Sequence, residues 1–296
     1  MVSEPTVFRE LRSILVESIW WDARTEELAW VDITEGTFHR GSLDGPRDGS
    51  CDRVAALPAP VSAVQPAAGG GFVASLQDRI VELDADGMLT KTIACVEHSH
   101  GGIRFNEGKV DPFGRFVVGS MNATSPAADG ALYTFDADGT VRMLLGGFHT
   151  TNGLEWSESG DTMYVTDTST QTIYRAPYGP APDDLGELEP FIRGRNSDGL
   201  ALGVDGTFWN GIYGAGRVAH WSSDGNPLED LALPAPNVTS VAFGGGHLST
   251  LFVGTARENL TESDLVDAPL SGSIFGFEAA GRGRAAYEFG AAAGQR

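Results

Sequence analysis

The sequence of 296 residues has only two cysteines, Cys51 and Cys95, and they are far apart in the chain. Two isolated thiols exclude a disulfide-stapled scaffold and a metal site built from thiolates. The chain also lacks any apolar run of 18 residues, and its first residues lack the apolar stretch of a secretion signal. We therefore expect a cytoplasmic protein that makes no use of a membrane.

Basic residues are scarce. The chain has 20 lysines and arginines against 40 aspartates and glutamates, which gives a formal net charge of −20. Nucleic acids and anionic membranes both require a basic surface, so neither is an expected partner. An excess of carboxylates instead favours solubility and the collection of cations.

Long helices are missing as well. No stretch of about 15 residues shows the 3.6-residue apolar periodicity of a helix. Glycine (39 residues) and proline (15 residues) indicate many turns, while the 41% of hydrophobic residues is enough for a large core. The composition therefore predicts an all-β protein.

An internal repeat is present. Each copy has a short apolar strand, a polar gap, a second strand and a turn, and the first strands recur every 43 to 47 residues. A repeat of this length with several short strands is typical of a propeller blade. Two unrelated β-sandwiches would not explain the near-equal intervals. The first strands begin at Leu28, Phe72, Phe116, Met163, Phe208 and Leu251.

The repeats predict a six-bladed β-propeller that occupies residues 1–296 as a single domain. The signature of WD40 blades is missing, so the propeller belongs to another type. We expect the N-terminal segment TVFRELRSILVES to supply a strand that closes the last blade.

Four blades carry a polar residue at one repeat position, 10 or 11 residues before the first strand of the repeat: Glu17, Asn106, Asn152 and Asp198. Equivalent positions on the innermost strands face one another across the central channel. Two carboxylates and two amide oxygens suit Ca²⁺, Mg²⁺ or Mn²⁺, and Zn²⁺ also accepts carboxylates. Taken singly, Asn-Gly at 152–153 and Asp-Gly at 198–199 are common turn dipeptides. Their register across blades favours a metal site, because paired buried carboxylates need a cation.

Several blocks resemble a known family. They are ESIWWDARTEELAWVDI, RFNEGKVDPFGRFVVGSM, NGLEWSESGDTMYVTDT, SDGLALGVDGTFWNGIYGAGRVAHW and VTSVAFGGGHLSTLFVGTAR. Together they are similar to the SMP-30/gluconolactonase/luciferin-regenerating-enzyme family of regucalcin-like sugar lactonases, over nearly the whole chain. The resemblance implies a six-bladed propeller with a divalent metal in its channel.

The resemblance also implies site residues. Family metal ligands match Glu17, Asn152 and Asp198, with Asn106 alongside. Arg104 and Asn106 are expected to face the substrate, and Asp198 to act as the general base. The sequence departs from the family mainly on the substrate side, where Glu107 and the segment at 122–124 differ.

Other residues near these motifs have more than one interpretation. Tyr213, in a glycine-rich stretch, is a candidate for stacking on a sugar face. Trp20 and Trp156 are expected to pack between blades, and Lys109 and Asp111 to hold the loop of their motif in place. Three histidines could lie in loops at the mouth of the channel or line the substrate pocket: His98, His100 and His149.

The sequence as a whole predicts a metal-dependent hydrolase that opens an aldonolactone. The expected cofactor is one divalent ion, Ca²⁺ or Zn²⁺, with Mg²⁺, Mn²⁺ and Fe²⁺ also open. The expected partner is a small sugar lactone, and the expected state is a monomer or small homo-oligomer. Alternatives are hydrolysis of other lactones or phosphotriesters, a non-catalytic binding propeller, and an interaction scaffold. GxSxG, HExxH and Walker motifs are missing from the sequence.

Overall fold

The computed structural model describes residues 4–181, 184–278 and 280–292. In these ranges the chain forms 24 strands and one short helix, α1 (Glu262–Asp267). The strands make six antiparallel sheets of four strands each. None of the helical structure within the described ranges is long and apolar enough to span a membrane.

The first three sheets follow the order of the chain. Sheet 1 contains β2 (Val16–Asp22), β3 (Glu27–Asp32), β4 (Thr37–Ser42) and β5 (Arg53–Ala56). Sheet 2 contains β6 (Val61–Pro66), β7 (Phe72–Leu76), β8 (Arg79–Leu83) and β9 (Leu89–Cys95). Sheet 3 contains β10 (Ile103–Val110), β11 (Phe116–Asn122), β12 (Gly130–Phe135) and β13 (Val141–Phe148).

The last three sheets repeat the pattern, and the sixth takes its outer strand from the N-terminus. Sheet 4 contains β14 (Thr151–Trp156), β15 (Thr162–Asp167), β16 (Thr172–Pro177) and β17 (Glu189–Arg193). Sheet 5 contains β18 (Ser197–Leu202), β19 (Phe208–Ile212), β20 (Arg217–Trp221) and β21 (Leu231–Ala232). Sheet 6 contains β22 (Val238–Gly244), β23 (Thr250–Thr255), β24 (Ile274–Glu278) and β1 (Thr6–Arg9).

The sheets are arranged in a closed ring. The first strand of each sheet, β2, β6, β10, β14, β18 and β22, contacts the first strands of the sheets on either side, and β22 contacts β2 to complete the circle. These six strands therefore surround a central channel, and the molecule is the six-bladed β-propeller that the repeats predicted. Each sheet is one blade.

The first and the last described strands pair within blade 6. There β1 pairs antiparallel with β24, so that the N-terminal strand lies at the outer edge of the blade that contains the last strand of the chain. Because this pairing joins strands from the two ends of the sequence, it closes the ring with main-chain hydrogen bonds as well as packing.

The core lies between blades. Six clusters of buried apolar side chains occur in the described residues, and each joins two neighbouring blades. Trp20 packs between blades 1 and 2, and Trp156 packs between blades 3 and 4, as the sequence predicted. Burial of apolar surface between sheets is therefore what holds the ring together.

Every innermost strand is interrupted at the same place. The pairing of each with its second strand shifts register, for example between Glu17 and Trp20, between Phe105 and Gly108, and between Asn152 and Leu154. Similar shifts occur in the other three blades. A bulge of this kind turns a side chain out of the regular alternation of the strand. The four polar repeat positions lie at these bulges.

The Asn-Gly pair at 152–153 is therefore part of a strand and not of a hairpin turn. Both residues are buried in β14. A Cβ added to Gly153 would lie 2.6 Å from the carbonyl oxygen of Asp198 and 2.6 Å from the Cβ of Leu200. Glycine is needed here because the inner strand of blade 4 touches the inner strand of blade 5.

We predict that Gly153→Ala destabilises the protein by about 1–3 kcal/mol, the usual cost of overpacking a tight core. Urea unfolding would measure this cost. The matched control is Gly146→Ala on the outer strand β13, where an added Cβ meets nothing within 4 Å. Equal effects of the two substitutions would contradict this account of the contact between blades.

Candidate functional site

The four predicted polar residues all lie on innermost strands. Glu17 is on β2, Asn106 on β10, Asn152 on β14 and Asp198 on β18. Blades 3 and 4 are joined directly, since the Nδ2 of Asn106 donates to the Oδ1 of Asn152 at 2.9 Å. Glu17 and Asp198 are close enough for the charge of Asp198 to raise the pKa of Glu17. The fold thus gathers residues that lie up to about 180 positions apart in the chain.

The two carboxylates are buried, with Glu17 8% and Asp198 5% exposed. Burial raises the pKa of Glu17 well above its usual range, and the charges of Asp198 and Glu107 raise it further. Burial likewise raises the pKa of Asp198, followed by the charges of Glu107 and Glu258. Loss of water and repulsion act in the same direction here, so this centre holds negative charge at a high energetic cost.

Asp198 also has an unsatisfied atom. Among the described residues, its Oδ1 is buried and has no hydrogen-bond partner. Buried polar atoms normally have a partner, because an unpaired acceptor loses the bonds it would make in water. This oxygen is therefore available to a ligand in the channel.

The two amides are held in defined orientations. The Nδ2 of Asn106 donates to the carbonyl oxygen of Thr151 at 2.8 Å as well as to Asn152. The Nδ2 of Asn152 donates to the hydroxyl of Thr168 at 2.8 Å, and that hydroxyl donates to the carbonyl oxygen of Ser197 at 2.6 Å. The Oδ1 of Asn152 accepts one bond, from Asn106, among the described residues, which leaves its second lone pair for a ligand.

Arg104 brings a positively charged side chain to this centre. Its Nη1 donates to the Oδ1 of Asn106 at 2.7 Å and to the carbonyl oxygen of Phe105 at 2.8 Å. Burial lowers the pKa of Arg104, whereas the charges of Glu258 and Glu17 raise it. Asn106 thus links the guanidinium of Arg104 on one side to the amide of Asn152 on the other.

Tyr213 follows β19 and is half-buried beside the same centre. Its hydroxyl donates to the carbonyl oxygen of Glu258 at 3.3 Å and accepts from the Nδ2 of Asn259 at 3.0 Å. Burial raises the pKa of Tyr213 to about 12, and the charges of Glu258, Asp198 and Glu17 also raise it. The phenol therefore remains protonated at neutral pH.

The three histidines lie in the segments just before the innermost strands β10 and β14, and each has its own contact. The ring of His98 lies edge-on to Phe105 with centroids 5.2 Å apart, and burial lowers its pKa. The Nε2 of His100 lies 2.9 Å from the Oδ2 of Asp129. The Nδ1 of His149 lies 3.4 Å from a carboxylate oxygen of Asp167. These contacts engage each ring with a neighbouring residue of the protein.

Two further acids, Glu107 and Glu258, act electrostatically on the buried carboxyl groups of the site. Neither was predicted as a site residue from the sequence. Burial raises the pKa of Glu107 to about 7, while the charge of Lys109 lowers it. Glu258 follows β23, and its charge acts on both Arg104 and Asp198. Glu107 could have been found, since it is next to Asn106 at the bulge. Glu258 is outside the repeat position, so no sequence signal marked it.

The residues expected to hold the motif in place have structural partners. The Nζ of Lys109 donates to the Oε1 of Glu155 at 2.6 Å. The buried carboxylate of Asp111 accepts from the Nε of Arg115 at 2.6 Å and from the hydroxyl of Tyr178 at 2.7 Å. These bonds tie the β10–β11 loop to blade 4.

The central set fits an oxygen-binding cation. It offers two carboxylates that repel each other, the unpartnered Oδ1 of Asp198, and the amide oxygen of Asn152. Hard cations prefer such ligands, and a positive charge would remove the repulsion. In the described part of the chain, no group of three or more His, Cys, Asp or Glu side chains is arranged to hold a metal, so the amides would have to complete any site.

We predict that Glu17→Gln raises the thermal midpoint of the metal-stripped protein by at least about 2 °C, because it removes one of two repelling buried charges. The gain should shrink as pH falls toward the ordinary carboxyl range, since protonation removes the same charge. Calorimetry in the presence of a chelator would measure both. The exposed Glu35, changed to Gln, is the control. A lower midpoint for Glu17→Gln would contradict the repulsion.

Comparisons with known proteins agree with this fold. A 6-deoxy-6-sulfogluconolactonase of Pseudomonas putida is 36% identical over 271 residues, covering 89% of this chain and 90% of that protein. A calcium-binding regucalcin structure from Agrobacterium tumefaciens superposes with a TM-score of 0.87 at 27% identity, covering 97% of this chain and 98% of the other. A luciferin-regenerating enzyme gives a TM-score of 0.87 at 28% identity, covering 96% and 99%.

The sequence model of one family matches the greater part of the chain, residues 15–257. These residues include all four polar positions of the channel and the five blocks that carry the resemblance. The match confirms the family predicted from those blocks: the chain belongs to the SMP-30/Gluconolactonase/LRE-like family.

Proposed function

We propose that this protein is a metal-dependent sugar-lactone hydrolase that opens an aldonolactone to the corresponding acid. The observation that carries the proposal is the convergence of Glu17, Asn152 and Asp198 in a buried channel, with one oxygen of Asp198 unpartnered among the described residues. The name of the Pseudomonas putida relative supports a lactone as the substrate.

Glu17, Asn152 and Asp198 would hold the divalent cation, with Asn106 beside them. Asn106 orients Asn152 through the bond of 2.9 Å between them. When bound, such an ion supplies Lewis-acid polarisation of a carbonyl oxygen. Ca²⁺ and Zn²⁺ are the first candidates, and Mg²⁺, Mn²⁺ and Fe²⁺ also accept oxygen ligands. The regucalcin neighbour that is described as calcium-binding supports a divalent ion.

Asp198 is the proposed general base. Its burial and acidic neighbours raise its pKa, which makes the carboxylate a stronger base than an exposed aspartate. In the proposed reaction, Asp198 takes a proton from water as the oxygen of that water attacks the lactone carbonyl carbon. The ring C–O bond then breaks, and the ring oxygen takes the proton back from Asp198 and leaves as a hydroxyl, which regenerates the carboxylate.

Arg104, Asn106 and Tyr213 are the proposed substrate-binding groups. Nη1 of Arg104 is fixed by two bonds of 2.7 and 2.8 Å, so the guanidinium is oriented before substrate arrives. Fixed donors lower the cost of ordering a polyhydroxylated ring. Glu258 is a further acidic group near this centre, since its charge acts on both Arg104 and Asp198.

The deciding experiment is lactone hydrolysis by metal-stripped protein after each of the five ions has been added back. A panel of aldonolactones of both ring sizes, a simple aliphatic lactone and a phosphotriester would serve as substrates, with release of acid as the signal. Turnover of an aldonolactone that returns with one ion supports the proposal. Metal binding without turnover of any substrate would point instead to a non-catalytic binding propeller.

Asp198→Asn should lower kcat by roughly 100-fold or more, because the amide cannot accept the proton of the attacking water. The control is Asp224→Asn, in an exposed turn of the same blade. Steady-state kinetics at saturating metal would measure both variants, and circular dichroism would verify their folding. Full activity of Asp198→Asn would remove Asp198 from the mechanism.

Arg104→Lys should raise KM about tenfold, because the single nitrogen of lysine cannot both replace the two hydrogen bonds of Nη1 and offer the substrate the further donors of a planar guanidinium. The metal affinity should change little, since the charge is kept and Glu17, Asn152 and Asp198 are untouched. Kinetics and calorimetric metal titration would separate the two effects. A large loss of metal affinity with unchanged KM would show that Arg104 supports the metal site instead of the substrate.

A further inference from the structure

The chain crosses one face of the propeller after its last strand. We call residues 280–292 the C-terminal segment; they lie beyond the family match, which ends at residue 257. The segment makes main-chain hydrogen bonds to the loops between first and second strands. The bonds run from Val204 N to Arg282 O, Gly283 N to Leu248 O, Phe289 N to Pro66 O, Ala68 N to Phe289 O and Gly290 N to Gly114 O.

These contacts show where the segment lies. The loops that it touches belong to blades 5, 6, 2 and 3, and all follow the C-terminal ends of innermost strands. Arg104 and His149 lie instead near the N-terminal ends of innermost strands, on the other side of the channel. The segment therefore covers the face of the channel opposite the proposed substrate side. Phe289 anchors its far end in the core between blades 2 and 3, where it is 4% exposed.

A small chamber lies on the channel axis beneath this segment. Its walls include Trp20, Lys109, Glu155 and Ala201, each three residues beyond one of the four polar positions on the same strand. Because a strand rises about 3.3 Å per residue, the chamber is one layer further along the channel. Its volume is about 60 Å³. The C-terminal segment contributes Arg284, Ala286 and Tyr287 to its lining.

Arg284 attaches the segment to the channel wall. Its Nη2 donates to the carbonyl oxygen of Trp156 at 2.7 Å and lies 3.8 Å from the Oε2 of Glu155. The other carboxylate oxygen of Glu155 accepts from the Nζ of Lys109 at 2.6 Å. The side chains of Arg284 and Glu155 are only 12% and 13% exposed. The three charges therefore form a largely buried group that joins blades 3 and 4 to the segment.

The burial of this group makes Arg284 important. Exposed ion pairs contribute little, but removal of one partner from a buried group leaves a charge without compensation. Without Arg284, Glu155 would keep only Lys109 as a cationic partner beside the main-chain N–H of Trp156, and the segment would lose its bond to the carbonyl oxygen of Trp156. Arg282, two residues earlier, is exposed, and its main-chain oxygen accepts a hydrogen bond from the N–H of Val204. That bond does not depend on the side chain of Arg282.

We propose that the C-terminal segment seals one end of the central channel and that Arg284 is the positioning residue that holds the seal through Glu155 and Lys109. Ligand and water then reach the layer of Glu17 and Asp198 from one face only, the face that carries Arg104. This inference deepens the proposed function by assigning a single entrance to its site, and its first test is independent of any activity.

The test measures whether a thiol in the chamber is accessible. Cys51 and Cys95 are exposed, so both are first replaced by serine. Ala201→Cys then places one thiol in the chamber wall, and its rate of reaction with a charged methanethiosulfonate reagent is followed. The protein that carries Ala201→Cys and lacks the two natural cysteines is the parent. We expect it to be labelled slowly, and to be labelled at least about tenfold faster once Arg284→Ala is added, because local opening controls access.

Two matched variants make the test specific. Arg282→Ala, two residues away, should leave the labelling rate unchanged. Arg284→Lys keeps the charge near Glu155 and should restore most of the protection. Fast labelling of the parent would overturn the proposal outright, even if Arg284→Ala failed to fold. Unchanged labelling in a folded Arg284→Ala protein would show that Arg284 does not hold the seal.

A second measurement connects the seal to the proposed site. This measurement uses the natural chain, which keeps Ala201. The rate of Ca²⁺ or Zn²⁺ release to a chelator is compared between that chain and its Arg284→Ala variant. Faster release from Arg284→Ala supports a seal that limits exchange through this end, and equal rates oppose it. If the protein binds neither ion, the proposed metal site fails while the labelling result still decides the seal.

Discussion

One unfavourable interaction governs the candidate site. The fold holds the carboxyl groups of Glu17 and Asp198 near each other in the channel, where both are buried. Burial raises the pKa of both carboxyl groups. The charges of Asp198 and Glu107 raise the pKa of Glu17 further, and the charges of Glu107 and Glu258 raise that of Asp198. Such a pair persists only if the surroundings overdetermine its position. Here the surroundings are six clusters of apolar side chains between blades and the ring of first strands, which together offset the local cost. A bound cation, as in the proposed function, would relieve the same repulsion.

Close contact between inner strands makes this geometry possible. Each inner strand has a bulge at the polar position, which directs the side chain away from the regular alternation. The glycines after Asn152 and Asp198 allow the next blade to approach, since a Cβ at Gly153 or Gly199 would overlap atoms of that blade. The dipeptides that resemble turns are therefore contacts between blades. Arg104, Asn106 and Asn152 form a chain of hydrogen bonds along this ring.

Much of the fold and of the candidate site could be predicted from the sequence, because both repeat. The spacing of the first strands gave six blades, and the register of the repeats placed Glu17, Asn106, Asn152 and Asp198 on the inner strands. The Asn-Gly pair remained ambiguous, since a turn and a bulged strand use the same residues. Glu258 and Arg284 carried no signal, because each acts from a segment outside the repeat.

The sequence by itself determined the all-β architecture, the number of blades and the polar residue that four of the blades contribute, because periodicity and residue type are local properties. Only the tertiary structure decided which polar atoms are satisfied and which are not. The Oδ1 of Asp198 is unpartnered among the described residues, whereas both amide atoms of Asn106 are engaged. The tertiary structure also brought the C-terminal segment under the channel, where Arg284 meets Glu155. The physical reason is that hydrogen bonding and desolvation depend on which residues, distant in sequence, come together in the fold. The pattern of residues along the chain does not encode either.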